Sequence, residues 1–301
     1  MGRMRIAITG STGLIGSALT DSLSADGHTV VRLVREGTKR AGGESVLWDP
    51  KRQYVDVQGL AGCDAVVHLA GAGVGDRRWT AAYKKELWDS RVLGTAAIAE
   101  AVAELHTPPR VLVCGSAVGF YGDTGDRSVD EESPAGHGFL ADMCQDWEAA
   151  AGAARDAGIR TVYARTGLVV SRSGGAWGRL FPLFRAGLGG RLGDGRQYWS
   201  HIALHDHLAA LRRLLDDDEL SGPFNLTAPV PATNREATAA MGRVLHRPTP
   251  FAVPAPVLRA ALGEFAEDVL GSQRVLPSRL LESGFRFAFP EVEDSVRAAL
   301  A

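Results

Sequence analysis

Cysteine is scarce in this chain: three residues in 301, Cys63, Cys114 and Cys144, with none in a CxxC pair or a Cys/His set of metal spacing. A disulfide framework and the common zinc knuckles are therefore excluded, and no metal site is expected. Surplus charge of either sign is missing as well, since 33 Lys and Arg stand against 35 Asp and Glu, a formal net charge of -2. Such balance offers no global basic field to gather nucleic acid or an anionic membrane surface, so small molecules are the expected partners. No uninterrupted apolar stretch reaches the roughly 20 residues of a membrane span. No basic-then-apolar leader opens the sequence, and a cytoplasmic protein is expected. Internal repeats and low-complexity tails are absent too, and the acidic run Asp216 to Glu219 reads as a solvated helix end.

What the chain has in plenty is alternation. With 45% hydrophobic and 23% charged residues it has the makeup of an ordinary globular protein with a sizeable core. "RIAIT" is short, apolar and β-rich, and Leu14, Ile15, Ala18, Leu19 and Leu23 follow at helical spacing. Further strands read in "TVVRLVR", "SVLW", "DAVVHLA", "RVLVCG" and "IRTVYAR", most separated by Ala-rich helical patterns. Near-continuous apolar strands alternating with helices predict an α/β fold, a doubly wound parallel sheet covered on both faces. After Arg165 the texture changes to Gly-rich loops and proline-punctuated segments. The expected division is a core over 1–170 and a smaller substrate lobe drawn mostly from 171–301, some of whose segments return to the core.

Gly10, Gly13 and Gly16 form GxxGxxG between the first strand and its helix. Glycine there permits a tight turn, lets backbone approach a pyrophosphate, and lets helix pack closely on strand, while the N–H groups of the helix start favour phosphate. A dinucleotide is the expected guest. An acidic residue at the end of the second strand would bind the ribose 2′-hydroxyl of NAD, but that strand closes in "LVREGTKR". Arg35 stands in the acid's place, where it either grips a 2′-phosphate, with Lys39 or Arg40 adding charge, or is a solvated strand-end cation. NADP is therefore expected over NAD. Asp49, in "LWDP", is a candidate acceptor for the adenine amino group or a turn-forming residue before proline.

"TGSTGLIG", "VVHLAGAGV", "SRVLGT", "GSAVGFYG" and "ARTGLVVSRSGG" together resemble the extended short-chain dehydrogenase/reductase superfamily. "FLADMCQDWE", "GLGGRLGDGRQ" and "GSQRVLPSRLLESGFRF" are similar to its atypical epimerase-family branch, and the stretch from about Pro248 resembles the extra C-terminal domain of that branch. The resemblance covers nearly the whole chain. It implies a Rossmann-type NADP(H)-binding core, a cleft beneath a C-terminal lobe, and cofactor contacts from Gly10, Thr12, Gly13, Leu14, Ile15 and Gly16 and from Leu69, Ala70 and Gly71. The substrate is not implied.

Catalysis in the superfamily rests on a Tyr whose hydroxyl is tuned by a Lys four residues later. Aligning Glu148 with the acid that follows the motif puts Leu140 at the Tyr and Cys144 at the Lys, and Arg91 falls where an Asn is expected before "GT". Leucine carries no proton to give, and a thiol supplies no permanent positive charge. Cys144 is then expected to fill space beside the nicotinamide ribose, as a buried inert thiol. Ser116 and Tyr121 of "GSAVGFYG" remain as candidate catalytic hydroxyls, the alternatives being a loop-capping serine and a packing aromatic. Arg165, Arg196 and Gln197 are candidate cleft residues or loop anchors. His201 and His205 have helical metal-pair spacing, but the acid of HExxH is absent and His207 is expected to point elsewhere. The family usually reads closer to "WIHIDD" here, so only Ile202 and Asp206 match. Two readings remain: an NADP(H)-dependent oxidoreductase or epimerase, and a non-enzymatic NADP(H)-responsive binding protein.

Overall fold

In the first strand Ile6, Ala7 and Ile8 are all fully buried, so both faces of that strand must be covered. The computed structural model, which describes residues 2–37 and 42–301, shows how. Eight strands form one sheet: β1 (Arg5–Thr9), β2 (Thr29–Val34), β3 (Glu44–Asp49), β4 (Tyr54–Val55), β5 (Ala65–His68), β6 (Val111–Ala117), β7 (Arg160–Thr166) and β8 (Gly222–Leu226). Their order is β8-β7-β6-β5-β1-β2-β3-β4. All neighbours pair in parallel except β3 and β4. The expected doubly wound fold is the one found. The two-residue β4, antiparallel at the edge, has too short an apolar run to be read from sequence.

Alternate side chains feed two separate cores. Ile6, Ile8, Val67, Val111 and Val113 meet Leu19 and Leu23 of α1 (Leu14–Ala25) on one face. Across the sheet Ala7, Val66 and Leu112 meet Ile98 and Val102 of α2 (Ala81–Ala103), Trp147 of α3 (Phe139–Ala149) and Ala154 of α4 (Gly152–Asp156), and the next helix along the chain is α5 (Gly175–Arg185). Full burial of each such leucine or isoleucine contributes about 1.5–3 kcal/mol. The chain runs outward from β1 to β4 and returns to β5 on the other side of β1, which makes the crevice at the carboxyl ends of β1 and β5 a topological switch point.

The chain beyond residue 170 serves both regions. Gly222–Leu226 closes the edge of the large sheet, and Leu211, Leu214 and Leu215 of α6 (Leu204–Asp216) join the core beneath α1. A third core gathers Trp177, Phe181 and Phe184 with Ala240 and Met241 of α7 (Asn234–Leu245) and Val292 and Val296 of the C-terminal helix Val292–Ala298. Thr233 and Glu236 close a reciprocal capping box at the start of α7. Asp206, 1% exposed, accepts from the backbone of Ala288 at 3.0 Å and Phe289 at 2.8 Å and so ties the last segment to α6. Among the described residues no helix is long and apolar enough to cross a membrane.

The clustered histidines separate in space. His201 is buried on the strand His201–Ala203, His205 is exposed at the start of α6, and His207 is buried 3.1 Å from Thr166 Oγ1. The i, i+4 pair thus straddles a strand–helix junction instead of one helix face. Burial lowers His68 and His201 from 6.5 to about 4 and His207 to about 3, with the charge of Arg91 adding to the effect at His68. The unfolded chain therefore binds protons that the native state refuses once pH drops below about 6.5, and stability must fall on acidification. The expected loss by pH 5 is on the order of 1 to 2 kcal/mol per histidine. Urea unfolding at pH 7.5 and pH 5 measures it, and equal stabilities contradict it.

Candidate functional site

Each glycine of the first turn answers a different constraint. Gly10 has φ 66°, and a Cβ there would lie 2.9 Å from the Leu69 carbonyl carbon and 3.0 Å from the Ala70 nitrogen. A Cβ on Gly16 would collide with the Gly10 carbonyl oxygen, so helix and turn touch directly. Gly13 is different: its backbone is extended, and a Cβ would meet only the Gly10 oxygen, at 3.3 Å. No protein packing requires glycine at 13, and no side chain caps the first turn of α1. An open rim over uncapped N–H groups fits a pyrophosphate. Thr12 is exposed beside it, and Leu14 and Ile15 are half-buried.

The end of β5 is bound to this turn. Thr9 Oγ1 accepts from Leu69 N at 3.0 Å and Ala70 N at 3.1 Å and lies 2.8 Å from His68 Nδ1. With both N–H groups donating to Thr9, its proton is left for Nδ1, which assigns the Nε2–H tautomer to His68. Gly71 is exposed, and a Cβ there would lie 3.2 Å from Arg91 Cζ. A Cβ at 71 would thus sit tightly against the arginine behind it, which would have to give by a few tenths of an ångström.

Arg35 follows β2 directly and is exposed, and no hydrogen bond or ion pair engages it among the described residues. Lys39 and Arg40 lie outside the described residues. Asp49 accepts from Lys51 N at 2.9 Å and Arg52 N at 3.4 Å, an Asx-type turn that accounts for it without a ligand. That arrangement is the turn-forming role expected as the alternative to binding adenine.

At the carboxyl ends of β6, β7 and β8, Ser116, Arg165 and Asn225 are register partners across three adjacent strands. Ser116 Oγ donates to Glu148 Oε1 at 2.7 Å, and Arg165 binds both carboxylate oxygens at 2.8 Å. Arg165 also donates to the Tyr121 hydroxyl at 2.9 Å, which donates in turn to Asn225 Oδ1 at 2.8 Å. Asn225 N donates to Glu131 Oε1 at 2.8 Å. Burial draws the Arg165 guanidinium down, but its bonds to Glu148 outweigh that and raise it.

Tyr121 is therefore not an open proton donor in this arrangement, which fits the packing-aromatic alternative. It is 2% exposed, its proton is committed to Asn225, and burial pushes it up to about 12 despite the Arg165 charge. Ser116, 3% exposed, is brought into the same network with its proton given to Glu148. Burial also pushes the Cys144 thiol up to about 12, which keeps it protonated. Arg165 is a member of the network, not a free anion binder, and Gln197 anchors a loop through Leu192 O at 3.1 Å. Arg196 is exposed. Glu148 enters the sequence reading only as an alignment mark, and Asn225 not at all.

The profile of the NAD dependent epimerase/dehydratase family matches residues 6–226, and that of a domain of unknown function, DUF1731, matches residues 253–299. The epimerase family protein Mb2239 of Mycobacterium bovis is 49% identical over 283 residues, covering 94% of this chain and 93% of that protein. The crystal structure of human epimerase family protein SDR39U1 (isoform 2) with NADPH superposes with TM-score 0.89 at 34% identity, over 99% of both chains. Thermus thermophilus UDP-glucose 4-epimerase in complex with NAD, at 20% identity and TM-score 0.75 over 98% of each chain, shares the fold.

Two substitutions separate binding from architecture. Gly13→Val should abolish dinucleotide binding and leave the melting temperature within a degree or two, because only the open rim is filled. Undiminished binding would put the pyrophosphate elsewhere. Tyr121→Phe should destabilise by about 1–3 kcal/mol, since Asn225 and Arg165 each lose a buried partner, while cofactor affinity holds. Isothermal titration and thermal melts read both, and a Tyr121→Phe protein of wild-type stability contradicts the network.

Proposed function

The chain belongs to the NAD dependent epimerase/dehydratase family, and from that premise we propose that it binds NADP(H) across the β1–β5 crevice and acts as an oxidoreductase or epimerase on a small molecule. One observation carries the cofactor choice: Arg35 is exposed and, among the described residues, unengaged where the acid of an NAD site would stand. The adenine half then lies toward β2, the pyrophosphate over Gly13 and the first turn of α1, and the nicotinamide half toward the ends of β5 and β6. The NADPH bound to the human relative supports this reading.

When bound, the nicotinamide supplies a hydride carrier. The protein's part is placement and proton handling. Ser116 Oγ has one proton, and Glu148 Oε1 takes it at 2.7 Å, so the free valence of that oxygen is an acceptor. A substrate hydroxyl placed there passes its proton to Ser116 Oγ as the serine proton moves to Glu148. Both Glu148 oxygens are already engaged by Arg165. Proton transfer through this pair therefore lacks the 10²- to 10⁴-fold typical of a tuned general acid or base, and turnover on simple carbonyl compounds is expected to be slow. The committed hydroxyls also favour a second reading, an NADP(H)-responsive binding protein. NADPH binding without turnover on aldehydes, ketones, quinones or sugar nucleotides would select it.

Titrating NADPH and NADH into wild type and Arg35→Ala tests the cofactor assignment. The NADPH preference should shrink by about 1.5–3 kcal/mol, the scale of a charged hydrogen bond. An unchanged preference assigns the 2′-phosphate to other residues.

A further inference from the structure

Arg91, Arg160 and Arg165 lie close to the sheet, and the last two are answered by the protein. Arg165 has Glu148 and Tyr121. Arg160 caps the end of α6 through Leu214 O, Leu215 O and Leu220 O and faces Asp218 at 3.6 Å. Arg91 has far less. Its Nη1 donates to Leu87 O at 3.1 Å, its Nε is enclosed with no partner, and its Cζ lies 5.1 Å from the Trp147 ring centroid. Burial lowers its proton affinity, and the titratable groups acting on it, Cys144 and Tyr83, are both neutral. Glu148, on the neighbouring α3, is held by Arg165 and Ser116. A guanidinium cannot shed its proton to escape such a site, so a fixed positive charge is held there with no carboxylate paired to it among the described residues.

The place of that charge is informative. A Cβ on Gly71, in the loop that follows β5, would come within 3.2 Å of Arg91 Cζ, and one on Gly10 would come within 2.9 Å of Leu69 at the start of the same loop. Its charge also reaches Cys144, which stands where the missing lysine is expected. Since Arg35 marks the adenine end on the far side of β1, a dinucleotide in the crevice brings its other half to Gly71.

We propose that Arg91 is a specificity-determining residue for the redox state of the cofactor: its half-buried guanidinium beneath Gly71 favours NADPH, whose ring is neutral, over NADP⁺, whose ring is cationic. The inference rests on the dinucleotide reading given above. Like charges beside a half-buried group repel more than they do in water, whereas the adenosine half, beyond β1, carries the same charge in both forms. The missing lysine's positive charge is thereby supplied from a different helix, by a group that cannot titrate.

The test is to measure dissociation constants for NADPH, NADP⁺ and adenosine 2′,5′-bisphosphate with wild type, Arg91→Lys and Arg91→Gln. Wild type should prefer NADPH over NADP⁺ by roughly tenfold. Arg91→Lys should keep that preference and Arg91→Gln should lose most of it, with adenosine 2′,5′-bisphosphate bound equally by all three. Equal wild-type affinity for the two redox forms overturns the proposal, and so does a preference that survives Arg91→Gln. Loss of adenosine 2′,5′-bisphosphate binding in Arg91→Gln also overturns it, by making Arg91 a general support of the site. Should Arg91→Gln fail to fold, the wild-type ratio and its retention in Arg91→Lys decide the matter. A wild type that binds none of the three ligands overturns the dinucleotide reading itself, whereas one that binds adenosine 2′,5′-bisphosphate without discriminating the redox forms overturns this inference alone.

Discussion

Everything at the crevice depends on how closely two chain segments meet at the ends of β1 and β5. The Gly10 turn leaves no room for a Cβ against Leu69 and Ala70, and the side chain of Thr9 takes the N–H groups of those same two residues. Two adjacent parallel strands would otherwise splay at their ends, because their connections run away in opposite directions from the switch point. Fastened this way, β1 and β5 present a fixed floor, with α1 starting on one side and the Leu69–Gly71 loop on the other.

The second fixed region is the polar layer across β6, β7 and β8. Buried polar groups cost free energy unless partnered, and a partly satisfied network is worse than an apolar one. Here Glu148 has Ser116 and a bidentate arginine, Tyr121 has one donor and one acceptor, and Asn225 has Tyr121, Glu131 and Leu276 O. The layer specifies which strands lie side by side, because only the observed register sets Ser116, Arg165 and Asn225 in one row. The same satisfaction removes Tyr121 from chemistry. A hydroxyl completed by its own protein has nothing left for a substrate.

The fold was legible because its signals are local: apolar runs of strand length, helical spacing after them, glycines in the turn between. The glycine pattern even separates into its three spatial roles when read against one turn and one helix. The polar layer was not legible, since Glu148 and Arg165 face each other only once α3 packs beside β6 and β7. Tyr121 illustrates the limit well. Its position after "GSAVGF" suggests the cleft, but which way its ring points is set by Asn225, more than 100 residues on. Arg91 showed itself as a departure from an expected asparagine, yet its surroundings depend on how α2 lies under the Leu69–Gly71 loop.

The tie between Asp206 and the backbone of Ala288 and Phe289 bears on the order in which the chain can fold. Glu131 in the middle of the chain likewise waits for Asn225 N and for Arg279 N at 3.3 Å, and the last helix closes the third core against α7. A nascent chain leaving the ribosome can form the β1–β6 half early, but its edge strand β8 and the partners of its buried acids come from the final third. Closure of such long loops is entropically slow. The native state is thus reached only once the segments around Asn225, Arg279 and Phe289 have been made, and until then the open β7 edge and the unpaired Glu131 are what a chaperone or a protease would meet.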